Sequence, residues 1–178
     1  MPFKITKRRE VFRGKVFTLT TKSCILPNGV KTELNIIEHP GAAAIVPVFE
    51  NGDVMLIKQF RLAAGGTIYE IPAGTLEKGE SPLKCAKREI QEEIGYRAAK
   101  FVKLGEFFSA PGFCTEKMHL FLATGLTKTS SHTADKDECI SPIRLPFKKA
   151  YEMALNGKIK DAKSITGICL ARRKLYNG

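Results

Sequence analysis

Residues 74–96 constrain this chain more than any other stretch, because they combine a glycine-containing loop, a short helix and a cluster of carboxylates. Ser81 is a favourable N-cap, Pro82 suits the first helical position, and Gly95 suits the left-handed residue that ends many helices. The sequence therefore predicts a helix of about four turns between these signals.

The predicted helix has an apolar stripe with acidic residues beside it. The stripe consists of residues spaced three and four apart, namely Leu83, Ala86, Ile90 and Ile94. Glu89 and Glu93 lie one turn apart at its edge, and Glu92 is their neighbour. Like charges at this spacing repel one another, so the helix needs a compensating positive charge.

The positive charge could come from either of two sources. Lys87 and Arg88 could form surface ion pairs, as in an ordinary acidic helix. Alternatively, a hard divalent cation such as Mg²⁺ could bind the carboxylates. Glu80 and the preceding loop favour the cation, because they add a further carboxylate and backbone carbonyls near the same side of the helix.

The same stretch resembles the Nudix box of the Nudix hydrolases. Gly74 is followed after five residues by Glu80, then after seven by Arg88-Glu89-Ile90, and then by Glu92-Glu93 and Gly95. Tyr96 departs from the pattern, in which an aliphatic residue is usual. The resemblance implies an α/β fold, namely a Nudix α/β/α sandwich with a mixed sheet.

The remaining chain fits this fold class. Strand-like alternation around an Asn28-Gly29 turn predicts a small antiparallel sheet in residues 1–40, and residues 41–178 form the Nudix hydrolase domain. Strands over 42–49 and 54–60 are expected to form a hairpin. Helices are expected over 147–156 and 161–176, the second with its inward face formed by Ile165, Ile168, Cys169, Leu170 and Leu175.

The composition indicates the cellular compartment and the class of binding partner. Five scattered cysteines without a C-x-x-C pair indicate reduced thiols, and no apolar run approaches the length of a membrane span, so we expect a cytoplasmic protein. The net charge of +11 calls for an anionic partner. Since the basic residues are dispersed without interleaved aromatics, a small phosphorylated substrate is favoured over nucleic acid.

Features outside the box resemble the ADP-ribose pyrophosphatase branch. They are residues 56–61, residues 70–74, and Pro111, which lies 15 residues beyond Tyr96. The resemblance implies Mg²⁺-dependent hydrolysis, with Mn²⁺ as a substitute, of ADP-ribose or related nucleoside diphosphate sugars. It also implies a homodimer that shares its N-terminal sheets. The alternative activities are RNA 5′-pyrophosphohydrolase and dinucleoside polyphosphate hydrolase.

The resemblance further implies roles for individual residues. The metal ligands would be Glu89, Glu92, Glu93 and the carbonyl of Ala73, with Glu80 as a weaker or indirect ligand. Arg88 would orient these glutamates. The general base would be Glu138, with Asp137 and Glu93 as alternatives.

Substrate contacts are predicted on other segments. Arg61 would bind a phosphate or the terminal ribose, because a guanidinium matches phosphate oxygens. Glu70 would bind a ribose or adenine edge, or simply pair with a lysine. Pro111 and Gly112 would shape the loop over the terminal sugar, whereas core packing is expected for Phe12 and Phe17.

Overall fold

The computed structural model describes residues 2–129 and 139–176. The described strands are β1 (Lys4–Arg13), β2 (Thr18–Ile25), β3 (Lys31–Glu38), β4 (Ala42–Pro47), β5 (Asp53–Arg61), β6 (Gly66–Glu70), β7 (Ala73–Thr75), β8 (Tyr96–Phe108), β9 (Lys117–Lys128) and β10 (Ile140–Pro146). The helices are α1 (Pro82–Ile94), α2 (Phe147–Leu155) and α3 (Ala162–Tyr176), and a 3-10 turn covers Leu62–Ala64. The chain forms two compact units, residues 1–41 with 107–117, and residues 42–106 with 118–178.

The first unit contains the predicted N-terminal antiparallel sheet, with strand order β1-β2-β3. The Asn28-Gly29 turn forms as expected, because Gly29 adopts a φ of 84° that other residues rarely adopt. Residues 107–117 join this unit through β3, where Ile37 N–H donates to the Phe113 carbonyl at 2.7 Å.

The prediction that Phe12 and Phe17 pack in a core is wrong. Their rings contact each other at 6.2 Å between centroids, but the residues remain 55% and 39% exposed. The reason lies in β1, which is the edge strand of its sheet and is exposed along its whole length.

The second unit contains a four-stranded sheet in the order β7-β4-β9-β8 and an antiparallel sheet in the order β10-β5-β6. In the first of these sheets β4 runs parallel to β9 and antiparallel to β7, so the sheet is mixed, as expected. The prediction that β4 and β5 pair as a hairpin is wrong except next to the turn, where Val48 and Val54 form an isolated bridge. Both edges of β4 are already paired, with β7 and β9, so β5 pairs in the other sheet.

Helices α1 and α3 cover opposite faces of the mixed sheet. On one face, Ala43 and Ile45 belong to the core cluster that contains the buried apolar residues of α1. On the other face, Gly167 of α3 approaches Val46 so closely that a Cβ there would lie 3.2 Å from its Cγ2. Successive strand residues point to opposite faces, so the sheet lies between the two helices in the expected α/β/α arrangement.

Two expected helix faces need correction. Leu83 is 40% exposed, and the buried face of α1 instead contains Cys85 and two glutamates. In α3, Ile168 is buried as expected, and the other buried residues are Ser164, Gly167 and Ala171, because the close approach to the sheet favours small side chains there. The expected inward residues Ile165, Cys169, Leu170 and Leu175 are only half-buried. Among the described helices, none has the length and apolarity needed to cross a membrane.

Candidate active site

The ends of α1 determine where its carboxylates lie. Ser81 caps the helix, since its Oγ accepts a hydrogen bond from Lys84 N–H at 3.4 Å, and Gly95 ends it with a φ of 71°. Between these ends, Glu89 and Glu93 lie on the buried side, 8% and 2% exposed. Burying two carboxylates one turn apart is unfavourable unless each is hydrogen-bonded or paired with a positive charge.

Arg88 lies at the centre of the acidic cluster and pairs with three of its carboxylates. It donates two hydrogen bonds to Glu80, at 3.1 and 3.0 Å, one to Glu89 at 2.6 Å and one to Glu92 at 2.8 Å. A further bond to the Thr75 carbonyl, at 3.2 Å, ties it to β7. The hydrogen bonds from Arg88 hold the pKa of the Glu80 carboxyl below its usual value, and the same bonds raise the pKa of Arg88.

Strand β7 forms the wall against which these glutamates pack. Ala73 N–H donates to Glu93 Oε2 at 2.9 Å. The Glu89 carboxylate fills the space beside Gly74, where an added Cβ would lie 1.6 Å from Glu89 Oε1. Gly74 is therefore required for close approach, since only a residue without Cβ leaves room for this carboxylate.

Cys85 lies beneath the cluster as a neutral thiol. Its Sγ donates to the Gly74 carbonyl at 3.4 Å and lies 3.7 Å from the Thr75 carbonyl. Burial, together with the nearby Glu89 carboxylate, raises the pKa of this thiol to about 12. The protonated form makes Cys85 a packing residue at neutral pH, because only the thiolate is an effective metal ligand.

The donor set of this cluster fits a hard divalent cation. Carboxylate oxygens and backbone carbonyls are the ligands that Mg²⁺ prefers, and no neutral nitrogen or thiolate ligand is present in the cluster. In the described part of the chain, no three acidic, histidine or cysteine side chains already converge on one point. Arg88 lies between Glu80, Glu89 and Glu92 and bonds to all three.

A second buried charge network lies on β5, β6 and α3. Arg61 donates from Nε and Nη2 to the two carboxylate oxygens of Glu70, at 2.7 and 2.9 Å. Lys163 Nζ also bonds to Glu70 Oε2, and lies 3.1 Å from Asp161. Glu70 therefore pairs with a lysine, as one of the sequence alternatives stated, and with Arg61 as well.

Glu70 stays ionised although it is 1% exposed. Burial pushes the pKa of its carboxyl upward, but the bonds from Arg61 and Lys163 outweigh burial and leave this pKa below its ordinary value. The bond to Glu70 likewise raises the pKa of Arg61. Arg61 remains 42% exposed, and its Nη1 makes no hydrogen bond to any residue in 2–129 or 139–176.

The start of α3 fixes Lys163 in place. Asp161 accepts from Ser164 N–H at 3.0 Å, and Ser164 Oγ accepts from Ile71 N–H at 2.7 Å. Sequence reasoning missed Lys163, since 93 residues separate it from Glu70 and no local pattern signals the pair. The sequence also assigned no role to Gln59, a buried polar residue among the apolar alternate positions of β5.

The remaining predicted residues are not part of the described cluster. Glu138 and Asp137, the candidate bases, lie outside the described residues. Pro111 and Gly112 lie in an exposed turn of the first unit, and their contact with a sugar stays a prediction.

Comparisons with known proteins show which family the chain matches. The NUDIX domain profile matches residues 38–166. The chain is 38% identical to the "ADP-ribose pyrophosphatase" of Bacillus subtilis (strain 168) over 93% of this chain and 90% of the relative. It is 35% identical to the "Methanol dehydrogenase activator" of Bacillus methanolicus over the same shares.

A third relative, the "GDP-mannose pyrophosphatase" of Yersinia enterocolitica, is 37% identical over 70% of this chain and 69% of its own length. Among solved structures, one described as an ADP compounds hydrolase superposes with a TM-score of 0.85 at 23% identity. It covers 99% of this chain and 96% of that structure, and the likeness shows a shared fold.

Proposed function

This chain belongs to the Nudix family, and from that premise we propose that it hydrolyses the diphosphate linkage of ADP-ribose or a related nucleoside diphosphate sugar. The products are a nucleoside monophosphate and a sugar phosphate. The observation that carries the proposal is the cluster on α1, in which Arg88 pairs with Glu80, Glu89 and Glu92 beside the buried Glu93. Relatives named for ADP-ribose and GDP-mannose support the substrate class.

The residues that would hold a divalent cation are Glu89, Glu92, Glu93 and the Ala73 carbonyl, with Glu80 in support. Mg²⁺ is the proposed ion, and Mn²⁺ would substitute for it. When bound, the ion offsets the negative charge of the diphosphate and lowers the pKa of the attacking water. Arg88 keeps the carboxylates assembled before substrate arrives, which reduces the reorganisation needed for reaction.

Other roles concern substrate binding and proton transfer. Arg61 binds a phosphate oxygen through Nη1, which bonds to none of the described residues, while Glu70 holds the guanidinium in orientation. Glu138 accepts the proton of the attacking water, with Asp137 and Glu93 as the alternative bases. Pro111 and Gly112 shape the loop over the terminal sugar.

We also propose that the protein acts as a homodimer in the cytoplasm, with residues 1–40 as its dimerisation part. The exposed apolar side chains of β1 and its turn support a dimer, because isolated sheets rarely leave so many uncovered. Five free cysteines suit a reducing compartment. Sedimentation analysis would test the dimer, and a monomer at micromolar concentration would contradict it.

The substrate proposal is tested by product release from a panel of compounds. The panel contains ADP-ribose, GDP-mannose, UDP-glucose, a dinucleoside polyphosphate and 5′-triphosphorylated RNA, each assayed with Mg²⁺ and with chelator. We expect chelator-sensitive release of AMP from ADP-ribose or of the corresponding monophosphate from another nucleotide sugar. Turnover of RNA or dinucleotides alone would support the alternative activities instead.

The site is tested with Glu93→Gln. The amide oxygen of glutamine can still accept the Ala73 N–H, so the variant is expected to fold while it loses the negative charge. We expect activity to fall at least about 100-fold, the scale of a lost catalytic group. The matched control is Glu152→Gln, an exposed helical position of α2, which should retain activity. Full activity of Glu93→Gln would reject the site.

A further inference from the structure

The inward face of β5 changes from apolar to polar near the end of the strand. Met55 and Ile57 belong to the core cluster that includes the buried apolar residues of α1. Gln59 and Arg61 continue the same face, because alternate residues of a strand point to one side. Gln59 therefore lies between the apolar core and the exposed guanidinium of Arg61.

Gln59 is buried without a partner for its amide oxygen. The residue is 3% exposed, and its Oε1 is the buried side-chain atom that finds no hydrogen bond among the described residues. Its neighbours on the adjacent strands are Ile68 of β6 and Ile140 of β10, and neither side chain can donate a hydrogen bond. Arg61 does not supply the donor either, since its Nε and Nη2 donate to Glu70.

An unpaired buried amide oxygen is unfavourable and needs an explanation. Leucine or methionine would fill the same space without this cost, as Met55 does four residues earlier on the same face of β5. The position is also close to the candidate site, because Glu70, which lies opposite Ile57 and bonds to Arg61, is three residues before Ala73, whose N–H donates to Glu93. The unpaired oxygen is thus explained if a ligand supplies the missing donor.

We propose that Gln59 is a substrate-binding residue whose Oε1 accepts a hydrogen bond from a sugar hydroxyl next to the diphosphate. This inference rests on the proposed function. An amide oxygen repels phosphate oxygens, so its partner is a hydroxyl, while the neighbouring Arg61 binds the anionic group. Alternate residues of a strand are about 7 Å apart, a separation that a phosphate and a hydroxyl of its attached sugar can span.

Gln59→Met tests the proposal, because methionine keeps the length of the side chain and removes the acceptor. We expect a melting temperature equal to or above that of the wild type, since an unfavourable buried group is removed. We also expect kcat/KM for the nucleotide sugar to fall about tenfold or more, mainly through KM. Affinity for inorganic pyrophosphate, which has no hydroxyl, should match the wild type.

The control is Gln91→Met at the only other glutamine of the chain, whose amide bonds to Lys87 and Arg97 on the surface of α1. It should leave kcat/KM within about twofold, as surface changes usually do. A lower melting temperature for Gln59→Met would mean that the amide has a structural partner. Unchanged kcat/KM, or an equal loss of pyrophosphate affinity, would also overturn the proposal.

Failure of the proposed function would give a different result. In that case the wild type would hydrolyse none of the nucleotide sugars, and binding would decide the role of Gln59. ADP-ribose should then raise the melting temperature of the wild type and raise that of Gln59→Met less. Equal shifts, or no shift in either protein, would reject the role of Gln59.

Discussion

Replacing Gly74 by alanine tests how closely β7 and the carboxylate cluster are fitted together. The new Cβ would lie 1.6 Å from Oε1, 1.9 Å from Cδ and 2.5 Å from Oε2 of Glu89. Real Cβ contacts are essentially never below 3.0 Å, and the difference between 3.0 and 1.6 Å means that Oε1 must move by about 1.4 Å. The backbone itself tolerates alanine, because Gly74 is not among the glycines with positive φ.

A shift of this size displaces Glu89 Oε1 from the position in which it accepts the 2.6 Å hydrogen bond from Arg88. A displacement of about 1 Å in a catalytic group can lower the rate about 100-fold, so we expect kcat to fall by roughly that factor. The assay is nucleotide release at saturating substrate over a range of Mg²⁺ concentrations, together with a thermal melt. Overpacking should cost about 1–3 kcal/mol of stability.

The matched control is Gly105→Ala on β8, the opposite edge strand of the same sheet. A Cβ there meets Leu170 Cδ1 at 3.6 Å, an ordinary contact, so activity should be preserved. If Gly74→Ala kept activity within about threefold of the wild type, Glu89 would not need its present position and the reasoning would fail.

Two further predictions concern charged residues. Lys163→Met removes the bond that fixes Glu70 Oε2, so Glu70 should hold the Arg61 guanidinium less firmly in its phosphate-binding orientation and KM should rise about fivefold to tenfold. Lys163→Arg keeps the charge and should have a KM near that of the wild type, and an unchanged KM in the methionine variant would contradict the role. Hydrogen bonds from Arg8 and then Lys22 lower the pKa of Glu38 to about 2 in the folded protein. The contribution of Glu38 to the free energy of unfolding is therefore complete above about pH 4.5 and is lost as the pH falls through about 2. Urea unfolding of Glu38→Gln and wild type should therefore differ at pH 7 and converge near pH 2; a constant difference would contradict the linkage.

The sequence predicts α1 and its cluster well because their signals are local. A cap, a proline, a terminal glycine and glutamates at helical spacing lie within 23 residues and need no distant partner to be interpreted. The sequence predicts β4 and β5 as strands, but their pairing depends on which edges of β4 other strands occupy.

Distant contacts explain the other differences. Lys163 reaches Glu70 only after α3 docks on the sheet, so no short window of sequence contains the pair. The buried face of α3 follows from the closeness of Gly167 to Val46 and Leu120, which helical periodicity does not encode. Local periodicity favoured the larger residues of α3 instead.

Strand β7 has a consequence for how the protein responds to heat. It is a three-residue edge strand held along one side by β4, yet it bonds to Glu93 and Arg88 and forms the wall beside Glu89. Short edge elements open locally at free energies well below that of global unfolding. Heat inactivation should therefore precede the loss of the core, and the working temperature of the enzyme is limited by how firmly residues 73–75 stay attached to β4.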